Sequence, residues 1–146
     1  DIAEVIRQYG SEPKRDLREL FRRMVFNILV SNDDDHLRNH AFLQDGKGWR
    51  LSPLYDVVPR PQTGQHPNLI LGVGDRGREA SLPNALTSAG AFGLTSNEAI
   101  ALIEDLRAHA QRRWRPALAE SGLKPTDIER LASCFARSEI EKWQSL

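Results

Sequence analysis

The chain has 146 residues, with 20 basic side chains balanced by 20 acidic ones, a length that suits one domain burying about two thirds of its unfolded surface. Zero net charge offers no bulk attraction to nucleic acid or to an anionic membrane face, and the single cysteine, Cys134, excludes an internal disulfide and a Cys/His zinc cluster. No stretch has the pattern of a signal peptide or a membrane span, so a reducing, cytoplasmic setting is expected.

Leu17, Leu20, Phe21, Met24, Val25, Ile28 and Leu29 recur at i, i+3, i+4, i+7 spacing opposite Arg18, Glu19, Arg22 and Arg23, which predicts an amphipathic helix ending near Ser31. Its Met24 is the only methionine, so the sequence is expected to be a piece of something longer. A polar stretch, SNDDDHLRN, follows at 31–39. Residues 40–44 and 49–51 are β-compatible and flank Asp45, Gly46, Lys47 and Gly48, predicting a hairpin. Asp56 then stands in SPLYDVVP, an acid among apolar neighbours between Pro53 and Pro59. Residues 60–68 read as an exposed loop, and residues 69–73 and 78–82 as a second hairpin or an irregular ribbon. A short helix over 82–92 stops at Gly93. Thr95 and Glu98 form a capping box for a helix carrying Ile100, Ile103, Leu106 and Ala110 to about Arg113. Pro116 should kink or interrupt it, and Gly122 should end the segment. A second TxxE, from Thr126 to Glu129, opens a last helix with Ile128, Leu131, Ala132 and Phe135 on its apolar face. The fold class is mainly α with one or two small β-hairpins, forming one unit over residues 1–146.

Three adjacent carboxylates would repel one another and desolvate badly in a core, so the 31–39 stretch needs solvent, a cation or a substrate beside it. Phosphoryl transfer from a nucleotide needs a carboxylate to orient and deprotonate the acceptor hydroxyl, plus oxygen ligands for Mg²⁺. Protein kinases supply these as DxxxxN, followed by a second acid past the next hairpin. Asp34 and Asn39 stand in that register, whereas Asp33 and Asp35 are each one residue off; Asp56 follows with one predicted hairpin between. An EF-hand is disfavoured, because a loop counted from Asp33 has Arg38 where glycine belongs and Gln44 where glutamate belongs. Gly72, Gly74 and Gly77 spell GxGxxG without a strand–helix frame and read as turn glycines. Arg107, Arg112, Arg113 and Arg115 read as a solvated helix face, and Trp114 and Trp143 as packing.

The run SNDDDHLRNHAFL, followed by GWRLSPLYDVVP, resembles the HipA-like serine/threonine kinases, toxins of bacterial toxin–antitoxin modules, whose signature pairs a DxHxxN loop with an LxPxYD segment. Asp34, His36 and Asn39 match the first motif; Leu51, Pro53, Tyr55 and Asp56 match the second. The likeness is strongest over residues 17–59. It implies the C-terminal lobe of a protein-kinase-like fold, using ATP and Mg²⁺, with Asp34 as catalytic acid/base and Asn39 and Asp56 as Mg²⁺ ligands. His36, Leu37, Arg38, Asn39, Tyr55 and Asp56 would line the nucleotide phosphates. It also implies a protein substrate, for which the family precedent is a serine in an aminoacyl-tRNA synthetase, and a helix-turn-helix antitoxin as partner; the charge balance and the lack of apolar runs add the expectation of no direct nucleic-acid or membrane contact. Asp33 departs from the family pattern, where that position is often small or Thr. A kinase further needs a strand lysine and a loop covering ATP. Only Lys14 precedes the polar stretch, so the chain is expected to be one lobe, inactive by itself. Two other readings fit the same residues: a small-molecule phosphotransferase lobe, and a non-catalytic module that binds an antitoxin.

Overall fold

A computed structural model describes residues 1–61, 68–139 and 143. Helix α1 (Ile2–Tyr9) is capped by Asp1, whose carboxylate accepts the Glu4 amide at 2.8 Å. Helix α2 (Pro13–Leu29) starts with proline, where the missing N–H has no helical partner to lose. Its apolar side chains face three ways, and the rest of the chain packs around them. Phe21, Met24, Val25, Ile28 and Leu29 meet Leu82 and Ala85 of α3 (Leu82–Thr87) and Ala99, Leu102 and Ile103 of α4 (Ser96–Glu120). Leu17 and Leu20 meet Ala3 and Ile6 of α1, and Leu51. Val30, one residue past the helix, meets Trp114, Ile128, Cys134 and Phe135. The predicted helix is thus present, with Phe21 and Ile28 fully buried.

The predicted first hairpin is also present. Strands β1 (Phe42–Gln44) and β2 (Trp49–Leu51) pair antiparallel, with Phe42 opposite Leu51. Asp45 closes the turn by accepting the Lys47 and Gly48 amides at 3.0 and 3.1 Å, and Gly46 takes the left-handed φ of 83° that favours glycine. In place of a second hairpin, residues 68–79 form the irregular ribbon, held by isolated bridges between Asn68 and Glu79 and between Gly74 and Gly77. Gly74 is there for a close approach: a Cβ would lie 2.0 Å from the Asn84 carbonyl oxygen. Of the expected loop at 60–68, residues 62–67 lie outside the described residues.

Three expectations need correction. Arg23, assigned to the outer face of α2, is buried and donates to Glu19 at 3.0 Å and to the Ser52 carbonyl, because residues 51–52 cover that side of the helix. Helix α4 does not stop near Arg113 but runs through Pro116 to Glu120. Apolar contacts hold it on both sides of the proline: Trp114 stacks on Phe135 with ring centroids 4.5 Å apart, and Leu118 packs against the same cluster. The second TxxE caps nothing. Pro125 takes the first position of α5 (Pro125–Arg130), leaving Thr126 inside the helix and Lys124 at its cap. Gly93 and Gly122 have left-handed φ values past their helices, as expected of stop residues. Arg107, Arg113 and Arg115 pair with Glu104, Glu120 and Glu129 at 3.0 to 3.2 Å. Among the described residues, no helix is long and apolar enough to cross a membrane.

Asp16, unremarked in the sequence pattern, is the charged group on which the α2–hairpin contact depends. It is buried, accepts the Leu51 amide at 2.9 Å, and takes two donors of Arg50 at 2.9 to 3.2 Å. Burial pushes its carboxyl upward, but the hydrogen bonds from Arg50 and Leu51 and the charge of Arg50 outweigh it, leaving the pKa below the ordinary 3.8. A carboxyl depressed in the folded state binds fewer protons there, so its stabilisation is present above about pH 4 and is lost as pH falls through the folded value. Asp16→Asn should cost about 3 kcal/mol at pH 7, the lower end for a broken buried pair, since Glu12 still reaches Arg50 at 2.7 Å. Urea midpoints of the two proteins should converge below about pH 4.

Candidate active site

The packed end of α2 delivers the polar loop. Ser31 is buried and left-handed (φ 54°), a conformation that a non-glycine residue holds only when its surroundings fix it. They do so from two distant points. Its hydroxyl accepts from Arg137 at 3.1 Å and its carbonyl from the Arg60 amide at 3.2 Å. Asn32 is tied back to Asn27 through its amide at 2.9 Å and its side chain at 3.0 Å.

The three carboxylates separate, which relieves the repulsion the sequence raises. Asp35 turns inward, where its Oδ1 lies 2.9 Å from His40 Nε2. Asp34 and Asp33 stay partly exposed and share Arg60, at 2.9 and 3.6 Å. Asn39 is buried at the end of a 3-10 turn, Leu37–Asn39, with its amide on the His36 carbonyl at 2.9 Å. Its Nδ2 donates to the Asp34 carbonyl at 3.4 Å. Asp34 and Asn39 are therefore joined in one turn. His36 Nδ1 is buried without a hydrogen-bond partner among the described residues, while Leu37 and Arg38 point to solvent.

Residues 53–60 return alongside this loop on two tethers. Upstream of Asp56, the Tyr55 hydroxyl donates to the Arg38 carbonyl at 2.6 Å; downstream, Arg60 holds Ser31, Asp33 and Asp34. Asp56 between them is left-handed (φ 57°) and exposed. Its apolar neighbours Leu54, Tyr55 and Val58 are exposed too, so the acid is not desolvated. Asp tolerates this backbone better than most residues, and such outliers concentrate at functional sites.

The donor chemistry fits Mg²⁺. Asn39 Nδ2 is used on the Asp34 carbonyl, which leaves Oδ1 as the atom for a cation, and Asp56 adds an ionisable carboxylate. Among the described residues no cluster of three or more His, Cys, Asp or Glu could hold a metal. Mg²⁺ does not require one, because it keeps several waters and takes further oxygens from phosphates.

Sequence reasoning missed Arg60, the Asp35–His40 pair and the Ser31–Arg137 contact. Arg60 and Arg137 have no local signal, lying 26 and 106 residues from their partners. The five-residue offset from Asp35 to His40 is present in the sequence, but it overlaps the DxxxxN register of Asp34 and Asn39 and carries no separate signal.

Comparison with known proteins identifies the family of the chain. A family profile described as HipA-like C-terminal domain matches residues 1–114. "Putative kinase Y4mE" of Sinorhizobium fredii is 34% identical over 58 residues, covering 40% of this chain and 14% of that protein. A protein of Haemophilus influenzae named "Putative kinase" is 38% identical over 58 residues, covering 39% and 17%. A solved structure of the Shewanella oneidensis toxin–antitoxin system, HipA with HipB and operator DNA, superposes with a TM-score of 0.69 at 20% identity, covering 92% of this chain and 34% of that one. The chain thus spans about a third of the solved chain it matches and a smaller share of the two relatives. With a fold shared over nearly all its described length and a profile match over most of its sequence, the chain belongs to the family of HipA-like C-terminal domains.

Proposed function

We propose that the chain is the catalytic C-terminal lobe of an ATP- and Mg²⁺-dependent serine/threonine protein kinase. The observation that carries this reading is the turn in which the buried Asn39 carboxamide donates to the Asp34 backbone carbonyl while the Asp34 carboxylate stays partly exposed, with Asp56 on the neighbouring segment that Tyr55 and Arg60 tether. Asp34 is the base that takes the acceptor hydroxyl's proton, work that contributes about 10² to 10⁴-fold in rate. Arg60 holds its Oδ2 and leaves Oδ1 for the acceptor. Asn39 Oδ1 and the Asp56 carboxylate would hold Mg²⁺, which supplies charge neutralisation on the nucleotide phosphates when bound. The exposed Arg38 guanidinium and the His36 ring would contact those phosphates, with Leu37 beside them. Tyr55 acts as a positioning residue, through the Arg38 carbonyl.

The HipA of Shewanella oneidensis was solved with HipB and operator DNA. On that precedent we assign a HipB-like antitoxin as partner; the match of the Asp34 and Asp56 motifs to the HipA-like serine/threonine kinases supports a protein serine or threonine as acceptor, and the single cysteine suits a cytoplasmic location.

Asp56→Ala in the full gene product should weaken Mg²⁺–ATP binding by about 10- to 100-fold, with part of the loss recovered at higher Mg²⁺. Calorimetric titration beside Asp33→Asn, which should bind as wild type does, checks this. Unchanged affinity and no Mg²⁺ dependence in Asp56→Ala would remove Asp56 from the metal site.

A further inference from the structure

On the far side of α2 from the main core lies a cleft of about 470 Å³, between the first half of the helix and residues 50–53. Five arginines line it (Arg15, Arg18, Arg22, Arg23 and Arg50) against two carboxylates, Asp16 and Glu19. Glu12 at the rim adds a third carboxylate, on Arg50 and Arg15; the chain as a whole is neutral, so the remaining excess of two positive charges here is a local concentration.

The carboxylates are already engaged. Asp16 is used by Arg50 and the Leu51 amide, and Glu19 by Arg23. What remains is a ladder, Arg15, Arg18 and Arg22, at i, i+3 and i+7 on one face of α2, a spacing at which like charges repel. Arg15 has one long contact to Glu12 at 3.4 Å, and Arg22 reaches Glu19 only at 3.7 Å. Arg18 has no hydrogen-bonded carboxylate among the described residues and feels Glu98 only through space. Behind them Arg23, 4% exposed, has an Nη1 with no hydrogen-bond partner among the described residues. A buried guanidinium donor left unmatched is costly, and a run of mutually repelling arginines adds to that cost. An anion in the cleft relieves the repulsion and adds a counter-charge beside the Arg23 guanidinium.

We propose that this cleft binds a phosphate monoester, carried either on a protein side chain or on a small metabolite. Every basic group in it is arginine, whose planar fork matches phosphate oxygens in pairs where lysine offers a point charge. A dianion suits the excess of two charges better than a single carboxylate does. A nucleic-acid backbone suits it less, because Arg15, Arg18 and Arg22 span only about two turns of one helix face, where a polyanion needs a longer continuous track. The inference is independent of the kinase reading, since it uses none of the residues of the Asp34 loop.

The test is calorimetric titration of the 146-residue chain in EDTA, which removes metal-bridged binding at that loop. The probes are inorganic phosphate, a phosphoserine peptide with its unphosphorylated counterpart, and AMP with adenosine. At least one phosphorylated probe should bind about tenfold more tightly than its unphosphorylated partner, an advantage that falls with added salt. The double variant Arg18→Gln, Arg22→Gln should lose that advantage, and Arg60→Gln should keep it. Arg18 is exposed, so Arg18→Gln alone replaces the pair if the double variant has a lowered melting temperature. A phosphopeptide preferred over AMP identifies a side-chain source, and the reverse preference a metabolite. The proposal is overturned if phosphorylation brings no gain, if the arginine variants bind as wild type does, or if duplex DNA displaces both phosphorylated probes at lower concentration than they displace it.

Discussion

Phe21→Ala is expected to lower the unfolding free energy by about 3 to 5 kcal/mol. Phe21 has no exposed surface, and its ring meets the edge of Phe92 at 5.4 Å with an interplanar angle of 62°. Phe92 packs against both the main cluster and the α1–hairpin cluster, so the contact joins two of the three groups organised by α2. Truncation leaves a void between elements that cannot all move inward together, which places the cost well above the transfer of a phenyl ring alone. A domain of this size commonly has about 5 to 15 kcal/mol in total, so the variant should lose a third or more of its stability. Ile28→Val, which removes one methylene at an equally buried position, should cost only about 0.5 to 1.5 kcal/mol. Urea denaturation of both variants checks the ratio. Equal midpoints for Phe21→Ala and wild type would mean that α2 is not the centre of the core.

The parts of the fold legible in the sequence are those governed by local rules. Apolar spacing gave α2, Asp45 and its neighbours gave the hairpin turn, and Thr95 with Glu98 gave the start of α4, where both halves of the capping box form. Local rules failed where distant partners decide. Arg23 and Asp16 count as solvent-facing in any periodicity argument, yet Ser52 and Arg50, 29 and 34 residues away, bury them. Pro116 breaks helices in isolation, but Trp114 and Leu118 are anchored on either side of it. The candidate site divides the same way. Asp34 and Asn39 are set by spacing within one turn, whereas Arg60 and the tether from Tyr55 to Arg38 appear only once the hairpin has folded the chain back.

The largest effect on function is expected from Asp34→Asn. The substitution keeps the side chain's shape and its reach toward Arg60 but removes the base, so phosphate transfer should fall by about 10² to 10⁴-fold. Nucleotide binding should survive, because Asn39 and Asp56 are untouched. Asp33 provides the control. It shares Arg60 with Asp34 at the longer distance of 3.6 Å and is one residue out of register with Asn39, so Asp33→Asn should retain most activity. Asp35 is the poorer control, since its carboxylate is buried against His40 and its loss would disturb the whole turn.

The most direct measurement is therefore transfer of the γ-phosphate of ATP to a protein serine by the full gene product, with Mg²⁺–ATP affinity followed in parallel for wild type, Asp34→Asn and Asp33→Asn. The account predicts that Asp34→Asn alone loses transfer by about 10² to 10⁴-fold while binding nucleotide as wild type does. Full activity in Asp34→Asn would contradict it and leave the loop as a binding element without catalytic work.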